Sequence, residues 1–223
     1  MSKIRCEHFF KIRQLIFLDF EKYTNLKDQN INLKKKKKIF LEDAQYYIED
    51  VRKNVIETLT YEKVYKQGFN INTPINLELQ RIATKSLRNG LVEYDKRKGW
   101  RGPIKNVKLD KKWFKNLEKY ELEKSINWKI AIVKKVDKFS VKIITKDKIE
   151  GVIKYSDITW TKKELDDLLK VGDIIYVKQT SKNNFSLKQI PKINGGIVVM
   201  DPYTGRVMAI SGGFSFKNSE FNR

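Results

Sequence analysis

The chain has 223 residues, enough for one or two domains with a buried core, and 40% of them are hydrophobic, which suits a globular protein more than a disordered one. Its one cysteine, Cys6, allows no internal disulfide, and its one histidine, His8, excludes a multi-histidine metal site, so neither a metal nor another cofactor is expected. The formal net charge is +20, yet only nine of the 47 basic residues are arginine, the side chain best suited to reading phosphates and bases; the lysine excess points to composition bias more than to a specific nucleic-acid partner.

Residues 1–34 show little periodicity. The most apolar early stretch, Leu15 to Leu18, is four residues long, against ~20 for a membrane span. No apolar signal region follows the early charges, so the chain is expected to carry neither signal nor anchor of its own. Lys34 to Lys38 is a run of five lysines that reads as a solvated linker. Leu41, Ala44, Ile48, Val51, Val55 and Leu59 then recur at helical spacing, with Glu42 and Asp43 in the first turn, where the helix dipole favours acids. Glu49, Asp50, Arg52 and Lys53 form the opposite face.

Phe69, Ile71 and Thr73 alternate with Asn70 and Asn72, which predicts a short strand ended by Pro74. A helix follows, with Leu77, Ile82, Ala83, Leu87 and Leu91 on or near one face and Asn76 as its cap. The stretch KRKGWRGP, ending at Pro103, reads as an exposed turn with one packed tryptophan, Trp100.

From Trp128 the rhythm becomes period two. Trp128 to Val136, Ser140 to Thr145, Glu150 to Ile158, Gly172 to Thr180 and Phe185 to Ile190 are five strand candidates. Between the third and fourth lies a short helix. Thr161 and Glu164 spell a capping box at its start, Leu165, Leu168 and Leu169 give its apolar face, and Gly172 ends it. Three strands, a helix and two strands is the order of an OB-fold barrel, predicted here as closed or nearly closed over residues 126–191 with the helix plugging one end.

Past the barrel, Ile197 to Met200 and Val207 to Ile210 are two apolar runs around Asp201-Pro202-Tyr203-Thr204-Gly205. Proline and glycine suit the two corners of a turn, so Gly195 to Gly213 is expected to form a hairpin. Both runs are apolar on both faces, so part of the hairpin should stay uncovered in this chain. Ser211 fits a loosened A-x-S-x-G elbow, but glycine rather than a helix follows it, and the chain offers no second histidine as base, so it is not taken as a nucleophile. No glycine-rich phosphate loop occurs, and Asp166 and Asp167 read as a solvated pair. The fold class is therefore α+β: a mixed helix and strand region, a small five-stranded OB-like barrel and an antiparallel hairpin.

Several stretches, in collinear order, resemble class A penicillin-binding proteins, the bifunctional cell-wall synthases. GGIVVMDPYTGRVMAISGGFSFKNSEFNR resembles the start of that family's transpeptidase domain; the matching positions are Asp201, Pro202, Thr204, Gly205, Gly212, Gly213, Phe214, Phe216, Phe221, Asn222 and Arg223. EDAQYYIEDVRKNV, from Glu42, is similar to the helix linking the glycosyltransferase and transpeptidase domains. INTPINLELQRIATKSL, from Ile71, resembles the family's strand and helix around a threonine-threonine-x-aspartate pattern, here Thr73-Pro74-Ile75-Asn76. EYDKRKGWRGP, from Glu93, resembles the segment before an inserted OB-like domain.

The resemblance implies an interdomain linker or pedestal over 35–125, the insert over 126–191, and the opening of the transpeptidase domain over 192–223, with 1–34 unassigned. It also implies an inner-membrane protein acting on the periplasmic side. Its partners would be the remainder of the synthase, a periplasmic regulator at the barrel and, for the full-length protein, peptidoglycan stem peptides. The family's S-x-x-K and K-T-G motifs do not occur here. The chain is accordingly expected to be an internal piece without catalytic, cofactor or metal residues. The alternative is a basic OB-fold protein for single-stranded nucleic acid, stacking bases on Phe139, Tyr155, Tyr176 and Phe185; those positions suit a barrel core equally well.

Overall fold

Asn76 begins the longest helix: its Oδ1 accepts the backbone N–H of Glu78 at 3.0 Å and of Leu79 at 3.1 Å, as the sequence predicts. In the computed structural model, residues 41–217 other than 110–112, 114 and 116 are described, together with Ser219. The expectations for residues 1–34, the lysine run, Cys6, His8 and the Phe221–Arg223 end of the family motif lie outside the described residues. From Leu41 onward the chain forms one compact unit.

A 3-10 turn, Glu42–Ala44, leads into α1, Gln45–Leu59; α2 is Tyr61–Lys66 and α3 is Leu77–Lys96. Between α1 and α2, Thr60 takes a φ of 69°, which breaks the helix. The two helical faces differ in part from the periodic reading. In α1 the buried residues are Tyr46 and Tyr47, while Ile48 is exposed; in α3 Leu77 and Ile82 are exposed, and Gln80, Ala83, Thr84, Leu91 and Asp95 are buried. Polar side chains hold both helices to the rest of the protein, so apolar spacing alone points to a partly wrong stripe. The strand expected at Phe69 to Thr73 is absent: these residues take no regular structure, because no neighbouring strand among the described residues offers them a ladder.

The barrel strands are β2, Lys129–Asp137; β3, Ser140–Thr145; β4, Glu150–Lys154; β5, Asp173–Gln179; and β6, Phe185–Lys188. A two-residue β1, Lys105–Asn106, precedes them. The sheet runs β1-β5-β2-β3-β4, all antiparallel, with β6 sharing the free edge of β5 beyond β1. It does not close into a full ladder. Where β4 and β6 meet there is a single parallel bridge, Val152 to Asn184, with the Val152 N–H donating to the Asn183 carbonyl at 2.8 Å.

The inner core unites Ala131, Val133, Val141, Ile143, Ile153, Ile175, Val177, Phe185 and Leu187, and Trp100 joins it from the chain entering the barrel. Leu165, Leu168 and Leu169, on and just after α4, Leu165–Leu168, enter the same core. The opposite face of β2 and β5 is covered too, by Ile104, Val107, Leu117 and Tyr120 against Ile130, Ile174 and Tyr176. That second layer explains why β5 is buried along Asp173–Val177 rather than alternating. Burial pushes the Tyr176 phenol up to about 12, and its hydroxyl donates to the Tyr120 carbonyl at 2.6 Å.

The expected capping box does not form. Thr161 ends a 3-10 turn, Thr159–Thr161; its Oγ1 donates to the Ile158 carbonyl at 2.7 Å, and Glu164 becomes the residue before α4. Lys162, at φ 58°, turns the chain out of register with the box.

Gly151 on β4 lets the Phe185 ring lie directly on the backbone: a Cβ there would sit 2.3 Å from the ring. Phe185 is 0% exposed, whereas Phe139, at the β2–β3 turn, is 71% exposed. Phe185→Ala should therefore lower stability by about 3–5 kcal/mol, and Phe139→Ala should change it by less than about 0.5 kcal/mol. Urea denaturation of both variants measures the contrast; equal midpoints would contradict this packing.

Candidate functional site

Three parts of the chain converge on α3: the path into the barrel, the path out of it and the C-terminal hairpin. The hairpin strands are β7, Ile197–Met200, and β8, Val207–Ser211. At the C-terminal end of α3 the Asp95 carboxylate, 2% exposed, accepts four hydrogen bonds. Arg101 gives two, Nη1 at 2.9 Å and Nη2 at 2.7 Å, in a fork. Gln189 Nε2 donates at 3.0 Å and the Lys192 backbone N–H at 3.1 Å. Gln189 also donates to the Gly99 carbonyl at 2.9 Å and accepts the Arg101 N–H at 3.2 Å. The cluster ties residues 99–101, entering the barrel, to 189–192, leaving it.

At the other end of α3, Gln80 completes the hairpin's edge. Its Oε1 accepts the Ile210 N–H at 2.9 Å and its Nε2 donates to the Ile210 carbonyl at 2.8 Å. The same Nε2 reaches the Asp43 carbonyl at 2.9 Å. The Asn76 N–H donates to the Met208 carbonyl at 2.9 Å, so helix-side groups occupy the outer edge of β8 as a strand would. Tyr47 Oη adds a bond to the Val207 carbonyl at 2.9 Å.

The β7–β8 turn forms as expected. Asp201 Oδ1 accepts the Tyr203 N–H at 3.0 Å, its Oδ2 accepts Thr204 Oγ1 at 2.6 Å, and Gly205 takes the positive φ of 69°. The Thr204 hydroxyl, then the Tyr203 amide, hold the Asp201 carboxyl below its usual range. Val198 and Met200 remain 60% and 57% exposed, so one face of β7 is uncovered. Beyond β8, Gly213 is required by close approach, since a Cβ would lie 2.5 Å from Tyr46 Oη. The following loop is held by Glu123, which accepts from Ser215 Oγ at 2.8 and 2.9 Å and from the Lys217 N–H at 2.9 Å.

Ser211 Oγ is buried and has no hydrogen-bond partner among the described residues, which does not suit an activated nucleophile. Of the four aromatics considered as stacking platforms, Tyr176 and Phe185 are buried in separate cores, while Phe139 and Tyr155 are exposed. The sequence reading missed Gln80, Asp95, Arg101 and Gln189. Buried polar residues carry no periodic signal, and only their contacts reveal them.

The OB-like barrel thus lies, in chain order, between a long helix and a hairpin that is bonded to that helix. Residues 100–193 match the family model described as "Penicillin-binding protein OB-like domain". The chain is similar to penicillin-binding protein 1A of Rickettsia prowazekii, 38% identical over 197 residues, covering 86% of this chain and 25% of that protein. It is also similar to penicillin-binding protein 1A of Pseudomonas aeruginosa, 27% identical over 228 residues, covering 96% of this chain and 27% of that protein. The crystal structure of penicillin-binding protein 1A from Haemophilus influenzae shares the fold, with a TM-score of 0.70 and 26% identity over 93% of this chain and 31% of that one. The chain thus spans about a quarter of the length of the curated relatives it matches, and it corresponds to an internal segment of a class A penicillin-binding protein.

Asp95→Asn removes the charge that Arg101 is paired with in a buried setting, and should cost about 3–5 kcal/mol, read as a lower denaturation midpoint. Gln80→Met leaves the Ile210 N–H and C=O unpaired at about 1–3 kcal/mol each. The Ile210 amide should then exchange with deuterium much faster while the Ile143 amide in the barrel stays protected. Equal acceleration at both sites would show that Gln80 does not act locally.

Proposed function

We propose that this chain is the linker and inserted-domain region of a peptidoglycan synthase, and that it positions and docks rather than catalyses. The observation that carries this reading is the collinear correspondence with penicillin-binding proteins 1A across helices, barrel and hairpin. On this reading residues 35–125 are the pedestal between glycosyltransferase and transpeptidase domains, 126–191 the insert, and 192–223 the opening of the transpeptidase sheet. The whole protein would lie on the periplasmic face of the inner membrane. It would form an acyl-enzyme with the D-Ala-D-Ala end of a stem peptide and transfer it to a second stem. Among the described residues no helix is long and apolar enough to cross a membrane.

The barrel serves as the docking surface for a periplasmic regulator, with the exposed Phe139 and the Lys138 ammonium 5.7 Å from its ring centre at the tip of the β2–β3 turn. Acylation belongs to the S-x-x-K serine, and this chain has no S-x-x-K or K-T-G motif. The 223-residue chain incubated with a fluorescent penicillin should therefore give no covalent band on a denaturing gel. A band that disappears with an unlabelled competitor would mean that a serine here reacts, and the assignment to a non-catalytic region would fail.

A further inference from the structure

A cavity of about 390 Å³ opens where α3, the 3-10 turn at Lys124–Ile126 and the segment after β8 meet. Four cations line it, Arg81, Lys85 and Arg88 from α3 and Lys178 from the end of β5, against one carboxylate, Asp43. Arg81, Lys85 and Arg88 fall at intervals of four and three, so one helical face presents them together. The side walls are aromatic: Trp128 and Phe214 lie with ring centres 5.2 Å apart.

Arg88 is the centre of the site. Its side chain is 12% exposed. Nε donates to the Phe214 carbonyl at 2.8 Å, and Nη1 donates to Ser125 Oγ at 2.9 Å and lies 3.5 Å from Asp43 Oδ1. Nη2 has no acceptor among the described residues. Burial pulls the Arg88 pKa down, while Glu123, Asp43, Tyr46 and Glu42 push it the other way. A half-used guanidinium fork, beside an apolar wall that keeps the local dielectric low, suits an anion with oxygens to offer.

We propose that this cavity binds an oxyanion, a carboxylate or phosphate group of a small ligand, on the free Nη2 edge of Arg88, with Arg81, Lys85 and Lys178 supplying the surrounding charge. The partly exposed Trp128 ring gives the body of the ligand a surface to rest on, backed by the buried Phe214. Nothing in the linker reading requires this site, and it stands or falls separately from it.

The test is nuclear magnetic resonance on the full 223-residue chain, following the Trp128 indole N–H and the Ser125–Asn127 amides. Sodium phosphate and sodium acetate are titrated separately at ionic strength held constant with sodium chloride. Saturable shifts at these groups support the site. Response to phosphate alone assigns a phosphate-bearing ligand, response to acetate alone a carboxylate-bearing one, and response to both the shared oxyanion chemistry. Arg81→Ala with Lys85→Ala, both exposed residues, should weaken binding about tenfold or more while leaving the barrel spectrum unchanged. Arg88→Lys keeps the charge but loses the fork, and should weaken binding as well. Shifts that do not saturate, or that match those produced by chloride, overturn the proposal. So does an affinity unchanged in the double variant.

Discussion

The two chain crossings that join the barrel to α3 meet at one buried carboxylate. Asp95 is surrounded by donors from three places: the Arg101 fork, the Gln189 amide and the Lys192 backbone. An inserted domain has two chain crossings, and unless they are held side by side the domain swings on them. Here both crossings bond to the same two oxygens. Removing a carboxylate from water costs several kcal/mol, and only a full set of donors with good geometry offsets it. Four donors with distances from 2.7 to 3.1 Å are such a set. The stability gained is modest; the orientation gained is large, because each bond is directional.

The same helix carries a second polar joint. Gln80 and Asp95 are fifteen positions apart in α3, about 22 Å along its axis at 1.5 Å per residue. One end is fixed to the hairpin and the other to the barrel. Between them Leu91, Ile126 and Phe214 form a small apolar cluster where all three parts touch. Apolar contact supplies cohesion without fixing register, whereas the Gln80 amide matches one particular residue, Ile210, through both its N–H and its C=O. A slip of one residue in β8 would place the wrong face of the strand inward and leave that amide without its pair. The insert can therefore sit between α3 and β7 in the sequence without disturbing how α3 and the hairpin meet.

The barrel was the part most readable in the sequence. β3 is legible to the residue and β6 to within two, because alternating burial leaves a period-two trace, whereas β2 and β5, covered on both faces, are legible to within one residue as apolar runs bounded by turns. The Asn76 cap and the Asp201–Gly205 turn were readable for the same reason: their chemistry is local. What failed needed partners distant in sequence. Phe69 to Thr73 alternate well enough for a strand but find none to pair with among the described residues. Thr161 and Glu164 spell a capping box, yet Thr161 bonds backward to Ile158, and the chain turns at Lys162 before the helix begins. The α3 stripe misleads because two of its buried positions, Gln80 and Asp95, are polar and face groups 94 to 130 residues away.

The use of arginine follows the same logic. Lysine makes up most of the basic residues of this chain, and most of those side chains lie on solvated faces. Arginine is scarce, yet the two cations around α3 that meet several acceptors at once are both arginines. Arg101 meets a carboxylate with two parallel bonds, and Arg88 reaches a carbonyl, a hydroxyl and a carboxylate from one planar group. A lysine ammonium at either place would keep the charge but could not span acceptors so far apart, and its stronger hydration would resist burial. Where charge alone matters, this sequence uses lysine; where geometry decides, it keeps arginine. The net charge of +20 is thus a poor guide to function here. The two arginines that hold the joint are better ones, because their positions are set by what they must reach.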